Sequence, residues 1–590
     1  MSNAPDSLGY PVAKATEVEY KSPKAASNPI VRGLPLSIGA SIIASSSILQ
    51  NYLWTNAGFD VLRSIPQLRD FSARHDPTVT PIASTAAPQV TSNFANADGL
   101  REPPGDIKHR FYSVLDYHKA YLAGTLTPTA VAQSLLPLIR KDVASPTKHS
   151  IAFIDTKVEL VLKAAEASTL RYKEGKPLGV LDGVPVAVKD EVELSGYRTT
   201  LGSVRDYTNK DGLTSSCIEK WIEHGAVVIG KTNMHEIGMD TTNNNPNWGT
   251  PRNPYNENYY TGGSSGGSGY CVGKGLIPIA HGVDGGGSVR LPASFCGAFG
   301  LKPSHSRVSS YPTGTSSVTV SGPIAANMVD LEVAFRVMAA PDPHGNLNAS
   351  FPLAYPSQQP RKKILGVYKP WSDRAEESVR LACQRAVDWY ITRLGYEVVD
   401  INIPYVHEGQ TAHAMTILNE QLSDFPDISF LTAPNKLLLS VASKTPATDF
   451  VLAQKMRNLL MQHLASLFKT YPDMIIVTPT TPKAGWHIEA EGDLKHGVTD
   501  ANQTLQNMEY VWLANFCGLP GLTFPVGYAE PKGGEGRVPI GLMGQAVWNN
   551  ENALIEWGYE GERYIAEALE GGRQIPNDWV DVFALESPSE

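Results

Sequence analysis

Charged residues make up only 18% of the 590-residue chain, below the usual quarter, while 42% are hydrophobic. That balance suits a large globule with much interior per unit of surface, and it excludes disorder for most of the chain. Positive charge is not in excess: 50 Lys and Arg face 59 Asp and Glu, for a net charge of -9. Little is left to neutralise a phosphate backbone, so nucleic acid is not expected as a partner. Cysteine is scarce, with Cys217, Cys271, Cys296, Cys383 and Cys517 scattered and never in a C-x-x-C pair. An odd, dispersed set fits a reduced, cytoplasmic chain. No H-E-x-x-H occurs, and His407 and His413 miss the i, i+4 spacing that would put both on one helix face. Neither a metal nor an organic cofactor is expected.

Long apolar runs are missing too. Residues 1–30 lack the basic and apolar regions of a secretory signal. No charge falls between Gly33 and Phe59, yet Ser37, Ser41, Ser45, Ser46, Ser47, Gln50 and Asn51 make the stretch too polar to span a membrane. Ile38, Ile42, Leu49 and Leu53 recur at helical spacing and predict an amphipathic helix over residues 34–54. Such a helix packs on the body or on a second copy of the chain, which leaves a homodimer open, and contact with a membrane surface is the alternative. Residues 70–108, with Pro77, Pro81, Ala83 to Ala87, Pro88, Pro103 and Pro104, read as an irregular connector. The organisation is thus an N-terminal extension over 1–105 and one large domain over 106–590.

In that domain helices and short apolar strands alternate. Thr127 as N-cap with Pro128 at N1 predicts one helix start, and a second helix runs from Thr156 to about Tyr172. Val184 to Val188 reads as a strand. Helix Ser215 to His224, stopped by Gly225, feeds strand Ala226 to Ile229; the pattern returns as strand Ile364 to Val367, helix Arg374 to Leu394 with Gly395, and strand Glu397 to Ile401. Late strands are expected at Met474 to Val477 and Leu522 to Phe524. The class is α/β, a central mixed sheet wrapped by helices.

The most informative stretch is GGSSGGSGYCVGKGLIPIAHGVDGGGSVRLPASFCGAFGLKP, from Gly262 to Pro303. A flexible linker would not be followed at once by Leu276, Ile277, Ile279, Phe295, Phe299 and Leu301. A P-loop fails because Gly273-Lys274 is followed by Gly275 and Ser268 stands at the first-Gly position; a dinucleotide fingerprint from Gly267 meets Val272 where Gly is needed. Gly262 to Gly266 does satisfy G-x-S-x-G, the nucleophile elbow of α/β-hydrolases, with Ser264 or Ser265 as nucleophile of an esterase. That elbow needs a strand before the serine, and TPRNPYNENYYT over Thr250 to Thr261 is a poor one.

The whole block closely resembles the amidase signature family of serine hydrolases. GGSSGGS at Gly262 to Ser268 and DGGGSVRLPASFCGAFGLKP at Asp284 to Pro303 carry the resemblance, together with GVPVAVKD at Gly183 to Asp190, KTNMHE at Lys231 to Glu236 and NFCGLPGLTFPVG at Asn515 to Gly527. It covers about Asp106 to the C-terminus. What it implies is a Ser-Ser-Lys triad at Ser288, Ser264 and Lys189, a cis peptide bond at Ser264, and hydrolysis of an amide C-N bond in a small-molecule substrate. A lipid-amide hydrolase is one of the activities within the family. The resemblance also puts Gly238, where relatives carry a larger side chain, and Gly263 on the substrate side. Two departures stand out: Gly285 replaces the commoner Thr or Ile and loosens the loop before Ser288, and His281 replaces an apolar residue.

The chemistry of these residues fits independently. Acyl transfer from an amide needs a nucleophile, a base, an acid for the departing amine and donors aimed at the oxyanion. Lys189 ends an apolar strand, and burial favours the neutral amine that a base must be. Gly285, Gly286 and Gly287 let successive N-H groups converge before Ser288 as an oxyanion hole. Ser264, among glycines, can bridge Ser288 and Lys189. Asp284 and Arg290 read as a structural pair.

Overall fold

The computed structural model describes residues 7–22, 28–82, 97, 99–105, 110–314, 316–345, 348, 351 and 361–585. Much of the Ala- and Pro-rich part of the expected connector, residues 83–88 included, lies outside them.

Eleven strands form one sheet. In chain order they are β1 (Phe153–Asp155), β2 (Pro185–Lys189), β3 (Val227–Thr232), β4 (Ile279–Asp284), β5 (Phe299–Lys302), β6 (Val320–Ala325), β7 (Ile364–Val367), β8 (Glu397–Asp400), β9 (Ile475–Pro479), β10 (Gly521–Ala529) and β11 (Val538–Gln545). Across the sheet the order is β8-β7-β9-β11-β10-β5-β6-β4-β2-β3-β1. β2 runs parallel to β3 and β4, and β7 runs parallel to β8 and β9. The other neighbours are antiparallel, so the sheet is mixed, as expected. Every residue of β2, β4, β5, β6, β9, β10 and β11 is buried. Strands covered by helices on both faces read as near-continuous apolar runs, as most of β2 does, although buried polar residues interrupt others: His281 and Asp284 in β4 and Lys302 in β5.

Local signals place most elements within a few residues. The hydroxyl of Thr127 accepts from Ala130 N at the head of helix Pro128–Ile139. Helices Val158–Lys173 and Ser216–Glu223 fall where periodicity puts them. The helix predicted from Arg374 starts three residues later, at Glu377, and runs to Leu394, where left-handed Gly395 closes it as expected; a separate short turn at Lys369–Ser372 precedes it. β10 is three times its predicted length. Pro525 hid its continuation, and the register indeed shifts between Pro525 and Gly527, where a bulge accommodates the missing N-H.

The N-terminal arm departs most from expectation. It forms two helices, α1 (Gly33–Ser45) and α2 (Ser47–Asn56), bent by 107°. Gln50 Nε2 donates to the carbonyls of Ile43 and Ala44 at 2.9 Å each, satisfying the end of α1 from inside α2. Leu36, Ala40 and Trp54 face inward, while Ile38, Ile42 and Ile48 are 59%, 55% and 82% exposed. Of the predicted apolar stripe, Ile38, Ile42 and Leu49 therefore do not pack on the body, the first of the expected roles for this arm. α1 and α2 rest on helix Ala433–Ala442. Among the described residues no single helix is long and apolar enough to cross a membrane.

Candidate active site

β2 and β4 are parallel neighbours, so their carboxyl ends open on the same side of the sheet. Lys189 is the last residue of β2 and Asp284 the last of β4, and the Gly-rich loop begins directly after Asp284. Helix α3 (Gly266–Gly273) starts within the GGSSGGS run, directly after Ser265, and α4 (Arg290–Phe295) follows Ser288. The Gly/Ser block, with the composition of a linker, is the buried centre of the molecule.

Lys189 is 0% exposed, and its Nζ donates to Ser264 Oγ at 2.9 Å and to the Val283 carbonyl at 3.3 Å. The Gly263-Ser264 peptide is cis. Ser265 N donates to the carbonyl of Ser288 at 3.3 Å, joining the two serine-bearing loops. Ser288 is 9% exposed, against 0% for Asp284 and Val289 that flank the glycines and the serine, and its hydroxyl makes no hydrogen bond among the described residues. Catalytic hydroxyl contacts often tighten only when substrate is bound.

Lys189 has a charged neighbour that the motifs do not announce. Glu191 Oε2 lies 2.6 Å from its Nζ. The strand ends at Lys189, and a turn closed by Val192 N donating to the Lys189 carbonyl at 3.3 Å brings Glu191 back to the amine, so strand periodicity gave no signal for it. The other charged residues of the motifs are structural: Asp190 and Lys231 form a fully buried ion pair at 3.1 Å, and Asp190 Oδ2 also accepts from Thr200 and Gly202.

Asp284 organises the loop ahead of Ser288. Arg290 grips its two oxygens through Nε and Nη2, each at 3.0 Å, inside a completely buried setting. Burial would raise the Asp284 carboxyl; the charge and hydrogen bonds of Arg290, aided by Lys302 and Asn515, outweigh it and hold the group well below the usual carboxylate range. Its oxygens also accept from Gly287 N at 2.7 Å and Val289 N at 3.1 Å. Gly287 N-H is thus occupied, a correction to its place among the oxyanion donors. Gly286 and Ser288 N-H make no hydrogen bond among the described residues.

The two glycines expected on the substrate side differ. A Cβ on Gly263 would come 2.6 Å from Asn243 N and 2.8 Å from the Asp240 carbonyl, so this glycine lets two backbones touch. Gly238 faces the site instead: a Cβ there would touch Ser264 Oγ and both Glu191 carboxylate oxygens at 3.8 Å without a clash. His281, the other departure, is buried in β4 beside Ser321 Oγ at 3.0 Å, and burial drops its pKa to about 3. His413, which no motif singles out, reaches the loop from 128 residues away: its Nε2 donates to the Gly285 carbonyl at 2.8 Å. No local pattern could have shown that contact.

The nucleophile-elbow alternative fails on this geometry. The run before Ser264 makes only isolated bridges, Arg252 with Tyr260 and Tyr259 with His487, and no strand leads into the serine.

Comparison with known proteins decides the family. The Amidase family matches residues 141–555, most of the chain. The chain belongs to the amidase family. It is 36% identical over 458 residues to a fatty acid amide hydrolase of Medicago truncatula, covering 74% of this chain and 73% of that one. It is 33% identical over 456 residues to a fatty acid amide hydrolase of Arabidopsis thaliana, with the same coverage of 74% and 73%. The fold is shared with a bacterial aryl acylamidase of the amidase signature enzymes, with a TM-score of 0.66 at 21% identity over 82% of this chain and 100% of the other. As an amidase the chain is a hydrolase of amide C-N bonds, and the Gly/Ser block and the sheet that holds it are the family's frame.

Proposed function

We propose that this amidase works through an acyl-enzyme on Ser288, with Ser264 passing the proton of Ser288 to Lys189 and returning one to the departing amine. The observation that carries the reading is the 2.9 Å contact from buried Lys189 to Ser264 Oγ, beside a loop that presents Ser288 and the free N-H groups of Gly286 and Ser288 together. The tetrahedral intermediate would place its oxygen on those N-H groups. The carboxylate and the amine or ammonia then leave in turn.

The substrate class we infer is a fatty acid amide. The relatives at 36%, 33% and 32% identity that bear that name cover about three quarters of this chain. The N-terminal arm agrees with a lipid source. Its outward Ile38, Ile42 and Ile48 are uncharged and exposed, as a helix lying in a membrane surface requires. It rests on helix Ala433–Ala442, whose Asn435 Nδ2 donates to the Glu236 carbonyl two residues before Gly238. A reduced, cytoplasmic setting belongs to the same reading, with all five cysteines free and buried.

A panel of acyl amides from two to twenty carbons, with Ser288→Ala as control, tests the substrate. Turnover should rise with chain length and vanish in the variant; equal or better turnover of short or aryl amides overturns the lipid assignment. Sedimentation with anionic vesicles, compared with Ile38→Ser/Ile42→Ser/Ile48→Ser, tests the arm, which loses its role if the variant binds as well as the parent.

A further inference from the structure

The tripeptide before Ser288 has no side chains with which to hold a shape, and a free glycine run pays a large entropy penalty to stay fixed. It is nevertheless clasped from two directions. On one side Asp284 takes Gly287 N-H at 2.7 Å and Val289 N-H at 3.1 Å, and Asn515 Nδ2 donates to the Asp284 carbonyl at 2.8 Å. On the other side stands helix α5 (Val406–Asp424).

From α5, His413 Nε2 reaches the Gly285 carbonyl at 2.8 Å. A carbonyl only accepts, so Nε2 carries the hydrogen. The ring is wholly buried, which lowers its pKa to about 4 against the opposing pull of the Gly285 bond, so it is neutral and Nδ1 is bare. Nδ1 accordingly has no partner among the described residues. The ring is fixed in place by an edge-to-face contact with Phe516, 6.0 Å between centroids, and Cε1 would lie 3.1 Å from a Cβ on Gly286. Ile417 Cδ1, one turn further along α5, and the methyl of Thr319, just ahead of β6, lie 3.0 and 2.9 Å from where a side chain on Gly285 would begin.

A trans peptide is planar, with its C=O and N-H pointing opposite ways. Fixing the Gly285 carbonyl on His413 therefore turns the N-H of Gly286 away from α5. With Gly287 N-H committed to Asp284, the Gly286 N-H is one of the few donors left for an oxyanion. We propose that His413 is a positioning residue for the oxyanion hole, setting the 285–286 peptide so that Gly286 N-H meets the developing oxygen. Through His413 and Ile417, α5 supplies from outside the rigidity that a side chain at 285 would supply from within. The proposal rests on Ser288 as nucleophile.

The test compares the parent, His413→Leu and His413→Gln on one amide. Gln can keep an N-H near the position of Nε2; Leu cannot. For each, kcat and KM are measured with the melting temperature and the inhibition constant of a trifluoromethyl ketone, which adds to the serine and places an oxyanion in the hole. Removing an oxyanion donor costs about 100- to 1,000-fold in kcat, so misaiming one should cost roughly 10- to 100-fold. For His413→Leu the expected result is a kcat loss of that size, KM within about threefold of the parent, and ketone binding weakened by the same factor as kcat; Gln should recover most of both. The proposal is overturned if His413→Leu keeps the parent kcat and ketone affinity, or if Leu and Gln variants lose activity equally in step with a fall in melting temperature. A parent whose Ser288 is not modified by the ketone would instead bring down the nucleophile assignment beneath it.

Discussion

Glu191 Oε2 lies 2.6 Å from the Nζ of Lys189, and that same amine donates to Ser264 at 2.9 Å. The lysine is fully buried and the glutamate only 18% exposed. A neutral Lys189 needs no counter-charge, but the ammonium formed when it takes the serine proton does, and Glu191 is the carboxylate that faces it. Glu191→Ala should therefore lower kcat by about tenfold or more while the urea midpoint stays near that of the parent. A variant with the parent kcat would show that the pair carries no such weight.

Lys189→Ala should reduce amide turnover by at least about 100-fold, since the general base is gone. Lys189→Arg should not restore it, because a guanidinium stays protonated across the usable pH range and cannot accept the proton of a serine. Steady-state rates on one amide decide the point, and an active arginine variant would move the base to another group.

Asp284→Asn should be among the most damaging single changes. It strands Arg290, which is 0% exposed, and it weakens the acceptors for Gly287 and Val289 N-H at once. A loss of about 3 kcal/mol or more is expected, with turnover falling beyond what unfolding explains. Thermal melts and kcat measured side by side would contradict this if Asp284→Asn resembled the parent.

Acid should weaken the fold well above the carboxylate range. Burial brings His149, His305, His407 and His413 to about 4, and His235 and His281 to about 3. An unfolded histidine titrates near 6.5, so below that pH the unfolded chain takes up protons that the folded chain refuses. Stability is whole above about pH 6.5 and falls as pH drops through 6 and 5, by up to about 1.4 kcal/mol per pH unit for each histidine. Urea midpoints at pH 7.5, 6 and 5 should decline in that order. A flat series would mean these rings are protonated in the folded state.

Sequence alone carried the sheet further than it carried the site. Apolar runs such as Val184 to Val188 announce buried strands, and Thr127 with Pro128 announces a helix start, because each signal is local. β10 was cut short since Pro525 removes a ladder hydrogen bond that only the bulge at Gly527 makes tolerable. The arm was misjudged because Ser46 reads as one more polar residue, whereas in three dimensions it separates two helices bent by 107°. At the site, Lys189, Ser264 and Ser288 came from motif resemblance. Glu191 was out of reach of strand periodicity, since it lies in the turn that follows Lys189. Asp284's claim on Gly287 N-H and the grip of His413 on Gly285 depend on how loops fold back, across 128 residues in the second case, and spacing holds no record of that.

The central claim is that Ser288, and not Ser264 or Ser265, is the nucleophile. Reaction with a serine-directed fluorophosphonate, followed by peptide mapping, tests it most directly. A single phosphonylated residue at Ser288 is expected, with no labelling in Ser288→Ala and turnover of that variant below about one per cent of the parent, as removal of a nucleophile costs many orders of magnitude. Label on Ser264 or Ser265, or a Ser288→Ala protein that still hydrolyses amides, would contradict it.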